Sequence, residues 1–340
     1  MGGHGHDAES RRPPGRKPSY LLWLTATLAP LLAFVLACPN VVWSETVKDP
    51  TLGNVRRVAE TPTGDLLVTD RSGLIVKVDK DSLEPVSGFR LPLDGAPFGL
   101  ATLDHLVFVG NTETKNVEVY ELPRSRGKKL ELSFAYNLGG VPAGEMGTIE
   151  KPIGIGVGRS AELVFVLDGK AKTVKVFRSD GLFLREFAPA GLYGMVLSPV
   201  SLAVDETHEE VLVGDYGDPG GTSHSAEPAR ILAFDFDGNL RYQIDGSGFW
   251  DSGLVFRRVQ GMAASVDGRI FAADPLGGRI LVFQRGSGTL LDVLGTRGDE
   301  PGQLRIPTDL LLDPESGDLF IVNNRGARRV EAFRGAGGQP

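Results

Sequence analysis

The stretch Ile306–Phe333, IPTDLLLDPESGDLFIVNNRGARRVEAF, holds one complete structural unit. An apolar run opens at Ile306-Pro307 and ends near Leu312. Pro314-Glu315-Ser316-Gly317 turns the chain, Leu319–Asn323 resumes it, and Val330–Phe333 follows a second turn. Short apolar runs bounded by Gly, Pro, Asp and Ser, with no 3.6-residue period, are strands. The unit recurs upstream as Lys151–Phe177 (KPIGIGVGRSAELVFVLDGKAKTVKVF), as Ser198–Phe234 and as Arg258–Phe283 (RVQGMAASVDGRIFAADPLGGRILVF), with weaker copies at Ala96–Tyr120 and Val55–Val78. In each copy the second strand ends on Asp or Asn: Asp70, Asn111, Asp168, Asp215, Asp274 and Asn323, spaced 41 to 59 residues apart. A fourth strand follows several copies, as in Leu182–Phe187 and Asn239–Ile244. Six copies of four strands with no helix predict an all-β, six-bladed β-propeller.

The ends bear on how such a ring closes. The last copy stops after its third strand, and the closing GAGGQP cannot supply a fourth. Val41-Val42-Trp43-Ser44-Glu45-Thr46-Val47 is β-prone and belongs to no copy, so this N-terminal segment is expected to supply the outer strand of the last blade. Joining first to last removes the open edge that a linear array exposes.

Leu294-Gly295-Thr296-Arg297-Gly298-Asp299-Glu300-Pro301-Gly302-Gln303-Leu304-Arg305-Ile306-Pro307, continued to Phe333, resembles an NHL repeat, as do the segments around Arg230 and Arg279. The resemblance spans roughly residues 50–333 and is strongest in the last four copies. It implies the propeller fold and leaves function open, because propellers host unrelated activities.

Residues 1–38 read as a targeting segment and 39–340 as the propeller. Arg11, Arg12, Arg16 and Lys17 precede Tyr20–Cys38, which carries no charge, the order of a secretory signal. Cys38 is the only cysteine and ends the apolar stretch at Leu36-Ala37-Cys38, resembling a lipobox whose thiol becomes the lipid anchor. Cleavage near Ser44, or an uncleaved anchor, are the other readings of the same stretch. All three place the propeller outside the cytoplasm, in the cell envelope or secreted.

The chain has 36 basic and 43 acidic residues, a net charge of −7. Removing residues 1–38 leaves 32 basic and 41 acidic side chains. That balance argues against nucleic acid as a partner. One cysteine excludes a disulfide framework and a c-type haem site, and no cofactor is implied.

Candidate binding residues follow from propeller geometry. Second-to-third loops and blade-to-blade loops open on one face, and the long insertions Pro123–Glu150, Pro189–Leu197, Tyr216–Pro228 and Asp245–Arg257 are all expected there. Tyr193, Tyr216, Phe249 and Trp250 sit in these insertions and suit protein or glycan contact. Arg56 or Arg57, Ser201, Gln260 and Asp309 lie in first strands and are expected near the channel mouth, where Arg and Asp would either hold a polar ligand or satisfy each other. The six strand-ending Asp and Asn residues read as structural, capping their own turns and pairing with the following arginine, Asp215 with Arg230 and Asp274 with Arg279.

The sequence offers little for catalysis. His105 and His208 fall in first-to-second turns, on the face opposite His224, so they cannot converge on one metal. No copy opens with the Glu-Gly-Pro of lactonase-like propellers. The reading is a monomeric, non-catalytic scaffold binding an envelope protein or glycan. The alternative is a metal-dependent lactonase- or lyase-like propeller.

Overall fold

The computed structural model describes residues 44–48, 54–83, 85–91, 97–124, 129–140, 145–192, 194–196, 198–217, 228–246, 255–300, 302–325 and 329–337. Six four-stranded antiparallel sheets form a six-bladed β-propeller, and no helix occurs among the described residues. From the channel outward, blade 1 is Val55–Glu60, Leu66–Asp70, Leu74–Val78 and Pro85–Arg90. Blade 2 is Pro97–Leu103, Leu106–Asn111, Asn116–Glu121 and Ser133–Leu138, and blade 3 is Pro152–Gly158, Leu163–Asp168, Thr173–Arg178 and Phe183–Phe187. Blade 4 is Pro199–Asp205, Glu210–Asp215, Arg230–Asp235 and Leu240–Asp245, and blade 5 is Met262–Ala264, Arg269–Asp274, Arg279–Gln284 and Leu290–Leu294.

Blade 6 contributes Pro307–Leu312, Leu319–Asn323 and Arg329–Phe333 from the C-terminal end of the chain, and its outer strand is Ser44–Lys48. Ser44 pairs with Phe333 and Lys48 with Arg329 in antiparallel register. The N-terminal segment thus closes the ring as the sequence predicts, shifted a few residues from Val41–Val47.

Strand composition follows position. Middle strands such as Glu210–Asp215 and Leu66–Asp70 are buried along their whole length, because a neighbouring blade covers each face. Outer strands such as Pro85–Arg90 alternate between exposed and half-buried residues. The apolar core is six clusters, one per seam between blades. Val58, Val68 and Val76 of blade 1 meet Phe320 and Val322 of blade 6, and Phe108 and Val119 of blade 2 meet Val164 and Val166 of blade 3. Each blade is therefore stabilised by its neighbours, with about 25 cal/mol gained per Å² of apolar surface buried.

The innermost strands share one irregularity. In blades 1, 2, 3, 4 and 6 the register against the second strand slips near the start, between Val55 and Arg57, Pro97 and Gly99, Pro152 and Gly154, Pro199 and Ser201, and Pro307 and Asp309. The extra residues are Arg56, Phe98, Ile153, Val200 and Thr308, each a β-bulge that bends the strand. Glycine at the next position in blades 2, 3 and 5 allows close approach. A Cβ on Gly261 would lie 2.5 Å from the Asp309 Cα, and one on Gly99 would lie 2.6 Å from Ile155.

One insertion divides between faces. The interval Pro123–Glu150, expected whole on the long-loop side, contains the fourth strand of blade 2, Ser133–Leu138. Residues 122–124 and 129–132, at the two ends of the link from third to fourth strand, therefore lie on the short-turn face, and 139–140 and 145–151 on the long-loop face. Arg124-Ser125-Arg126-Gly127-Lys128-Lys129 is polar enough to hide the strand that follows it.

Candidate functional site

Arg57 and Asp309 meet in the central channel. The Arg57 side chain reaches across it: Nε donates to the Phe98 carbonyl at 2.5 Å, Nη2 to that of Ile153 at 3.0 Å and Nη1 to that of Thr308 at 3.3 Å. Those carbonyls belong to bulge residues of blades 2, 3 and 6, so one guanidinium ties four blades together. Asp309 Oδ1 lies 3.9 Å from Arg57 Nη1, and Asp309 Oδ2 accepts the Val58 amide at 3.0 Å. Burial pushes the Asp309 carboxyl up to about 6, against the opposing pull of Arg57 and of the Val58 amide. The pair spends its hydrogen-bonding capacity mainly on the channel wall and separates a mouth on the long-loop face from one on the short-turn face.

Two further arginines stand at the long-loop mouth. The Arg56 guanidinium stacks on the Phe98 ring at 4.1 Å, and that of Arg258 on the Tyr216 ring at 4.2 Å. Both side chains are half-buried, and among the described residues neither guanidinium has a hydrogen-bond or ion-pair partner. Nε is closed off from solvent in each, and so is the unbonded Tyr216 hydroxyl. Burial holds both guanidiniums below the usual arginine range, and the neighbouring charges of Arg57 and Arg71 lower Arg56 further. Gln260, at the corresponding position of blade 5, is half-buried and uses its backbone amide on the Ala273 carbonyl at 3.1 Å.

The short-turn mouth widens into a funnel of about 690 Å³ whose wall includes Leu100, Ile155, Leu202, Met262 and Leu310, with Asp309 also lining it. Its rim is acidic: Glu60, Asp104, Asp205, Glu206, Asp313 and Glu315 against Lys80 and Arg159. Most of this charge is already matched. Lys80 Nζ bridges Glu60 at 2.6 Å and Asp313 at 2.9 Å, Asp205 holds His208 Nδ1 at 2.8 Å, and Glu206 accepts the Arg159 and Ser160 amides. A second cleft of about 620 Å³ lies farther out, between blades 2 and 3, beside Asp104, His105, Arg124 and Glu162. Among the described residues no three His, Cys, Asp or Glu side chains group as a metal site.

The strand-ending residues hold loops in place. Asp70 Oδ1 accepts the Ser72 and Leu74 amides, Asn111 Oδ1 those of Glu113 and Thr114, and Asp168 those of Glu150, Lys151, Lys170 and Ala171. Asn323 Oδ1 accepts the amides of Arg305 and Ile306. Asp215 accepts the Ser198 amide and the Arg230 Nε at 3.1 Å, and Asp274 accepts the Gly277 amide and the Arg279 Nε at 3.0 Å. Each arginine then reaches a blade-to-blade insertion, Arg230 to the Met195 carbonyl at 2.9 Å and Arg279 to that of Val255 at 2.8 Å. The Asp–Arg pairs thus pin the bases of the long loops on the face they decorate.

Tyr216 is the one candidate loop aromatic within the described residues. Tyr193, Phe249, Trp250 and Cys38 lie outside them, as does His224. The loop carrying Phe249 and Trp250 springs from a pinched base, where the Val255 and Phe256 amides both donate to the Gly246 carbonyl. Sequence reasoning placed Arg56 or Arg57 at the mouth but missed Arg258, both stacking contacts and the funnel. Aligning the bulges would have paired Arg56 with Phe98. The funnel is walled by innermost-strand edges and has no motif of its own.

No family model matches the chain, and no curated protein matches it. Solved structures do. Hydrazine synthase from Kuenenia stuttgartiensis is similar over 86% of this chain and 98% of that one, at 11% identity and a TM-score of 0.58. The β-propeller domain of Cps50 (Swd1) from Myceliophteria thermophila covers 82% of this chain and 83% of that one, at 12% identity and a TM-score of 0.54. The WD40 propeller domain of Doa1 covers 82% and 78%, at 15% identity and a TM-score of 0.52. At such identities the likeness carries the fold alone.

Proposed function

We propose that this chain is a non-catalytic binding propeller of the cell envelope, built of NHL-like repeats, that engages an envelope protein or glycan through its long-loop face. The observation that carries this reading is the pair of stacked, partnerless guanidiniums of Arg56 and Arg258 at that mouth of the channel. Arginine held half-buried beside aromatic rings is what interfaces use as an anchor, because its planar fork is already ordered before contact. Pinned loop bases add a rigid platform on the same side. The N-terminal apolar stretch with Cys38 supports export and a lipid anchor.

Photo-crosslinking in the producing cells tests the reading. A crosslinking residue at Arg257, exposed on the long-loop side, is expected to capture a partner, and one at Val266, exposed on the short-turn side, is not. Capture from Val266 alone would overturn the assignment of the face. Cys38→Ser should release the protein from membranes or block its processing, and a variant that fractionates and migrates like the wild type would overturn the lipid anchor.

A further inference from the structure

Arg56 belongs to the innermost strand of blade 1 and leans onto Phe98 of blade 2. Arg258 precedes the innermost strand of blade 5 and leans onto Tyr216, just past the second strand of blade 4. The guanidiniums therefore stand over the seam between blades 1 and 2 and the seam between blades 4 and 5. In a closed ring of six blades these two seams are diametrically opposed.

In each arginine only Nε is sealed from solvent without a partner, so the terminal nitrogens still reach it. No carboxylate among the described residues approaches either one within ion-pair distance, in a chain of net charge −7. Elsewhere in the same molecule half-buried arginines are matched: Arg285 clasps Glu210 at 2.5 Å and Arg334 holds Asp318 at 2.8 Å. Leaving two desolvated cations unmatched costs stability, and an external anion would restore what burial removed.

We propose that the long-loop mouth is a two-ended oxyanion site, Arg56 and Arg258 each taking one end of a ligand that carries two carboxylate or phosphate groups separated by a spacer across the channel. A guanidinium offers paired N–H donors that match either oxyanion. The Tyr216 hydroxyl is sealed from solvent beside Arg258, so at that end the ring positions the guanidinium and the terminal nitrogens make the contact. Arg57 lies beneath as the floor. Its donors are committed to carbonyls and Asp309 lies 3.9 Å from it, so it makes no contact with the ligand.

This inference rests on the long-loop face being the binding face, and its test is separate from the crosslinking test. Titrating the full-length protein calorimetrically with acetate and with the dicarboxylates from succinate to sebacate should show one spacer length binding about tenfold or more tighter than acetate, because the second contact is then intramolecular. Alkane bisphosphonates of matching spans against methylphosphonate form the second arm, and the arm that shows the two-ended gain names the oxyanion. Arg56→Gln and Arg258→Gln should each reduce the best diacid to the affinity of its single-anion control. Arg56→Lys and Arg258→Lys, which keep the charge, should retain a preference for the diacid and serve as folded controls. The proposal fails if no diacid or bisphosphonate outbinds its single-anion control, or if either glutamine variant binds like the wild type. Crosslinking from Arg257 together with a failed titration would remove the ligand class and leave the binding face standing.

Discussion

The two mouths of the channel are made by opposite ends of the same six innermost strands, and they treat charge differently. At the short-turn mouth the carboxylates have internal partners: Lys80 bridges Glu60 and Asp313, His208 meets Asp205, and backbone amides meet Glu206. At the long-loop mouth two guanidiniums rest on aromatic rings and bond to none of the described residues. The self-satisfied end opens into a funnel of about 690 Å³. The state of neutralisation, rather than volume, is what distinguishes the two ends. A site that has spent its hydrogen bonds on itself has little left for a ligand, whereas an unmatched, ordered cation has a strong preference for what it lacks.

Both mouths depend on the closed ring, and opening it should have the largest effect. A chain beginning near Thr51 lacks Ser44–Lys48 and leaves the outer edge of Arg329–Phe333 unpaired. Its urea melt should show a loss of at least about 4 kcal/mol or outright aggregation. Arg57→Ala would join the two mouths, strand three carbonyls and leave Asp309 buried beside no cation; about 3–5 kcal/mol should be lost by the same measurement. Lys80→Met strips the short-turn rim of its bridge and leaves Glu60 and Asp313 facing each other, for a loss of about 2 kcal/mol.

Asp309 should give a smaller effect of opposite sign. Its carboxyl is pushed up to about 6 in the folded chain, above the unfolded value of about 3.9, so the folded state holds the proton more tightly. That stabilisation is complete below about pH 4 and is lost as pH rises through about 6. Asp309→Asn should therefore match the wild type near pH 4 and exceed it by up to about 2 kcal/mol near pH 7.5, read from denaturant melts across that window. Tyr216→Phe should change least. It keeps the ring under Arg258 and deletes a hydroxyl that bonds to nothing, so stability should move by no more than about 0.5 kcal/mol.

The ring was legible in the sequence because its signal repeats: Asp70, Asn111, Asp168, Asp215, Asp274 and Asn323 each end a second strand. The closing strand was legible by elimination, since Val41–Val47 had no blade of its own. Ser133–Leu138 was not, because an unusually long third-to-fourth link separates it from its blade and made it look like part of a loop. Arg57 and Asp309 could be placed at the channel from their position in the repeat. The actual bonds of Arg57 go to backbone carbonyls, which every residue possesses, and no side-chain pattern marks them. The partnerless state of Arg56 and Arg258 is a fact about what fails to lie nearby, and spacing along a chain does not report it.

The closure of blade 6 also sets an order of events. Ser44–Lys48 is among the first parts of the propeller to be synthesised, and it pairs with Arg329–Phe333, among the last. Between those moments the nascent chain carries five blades and a waiting strand, with the edge of blade 1 uncovered. Contacts between the two ends of a sequence are the slowest to form, because loop-closure entropy must be overcome before they give anything back. The final strand exchange is therefore expected to limit the folding rate, and the unsealed ring is the species most exposed to aggregation and to chaperones.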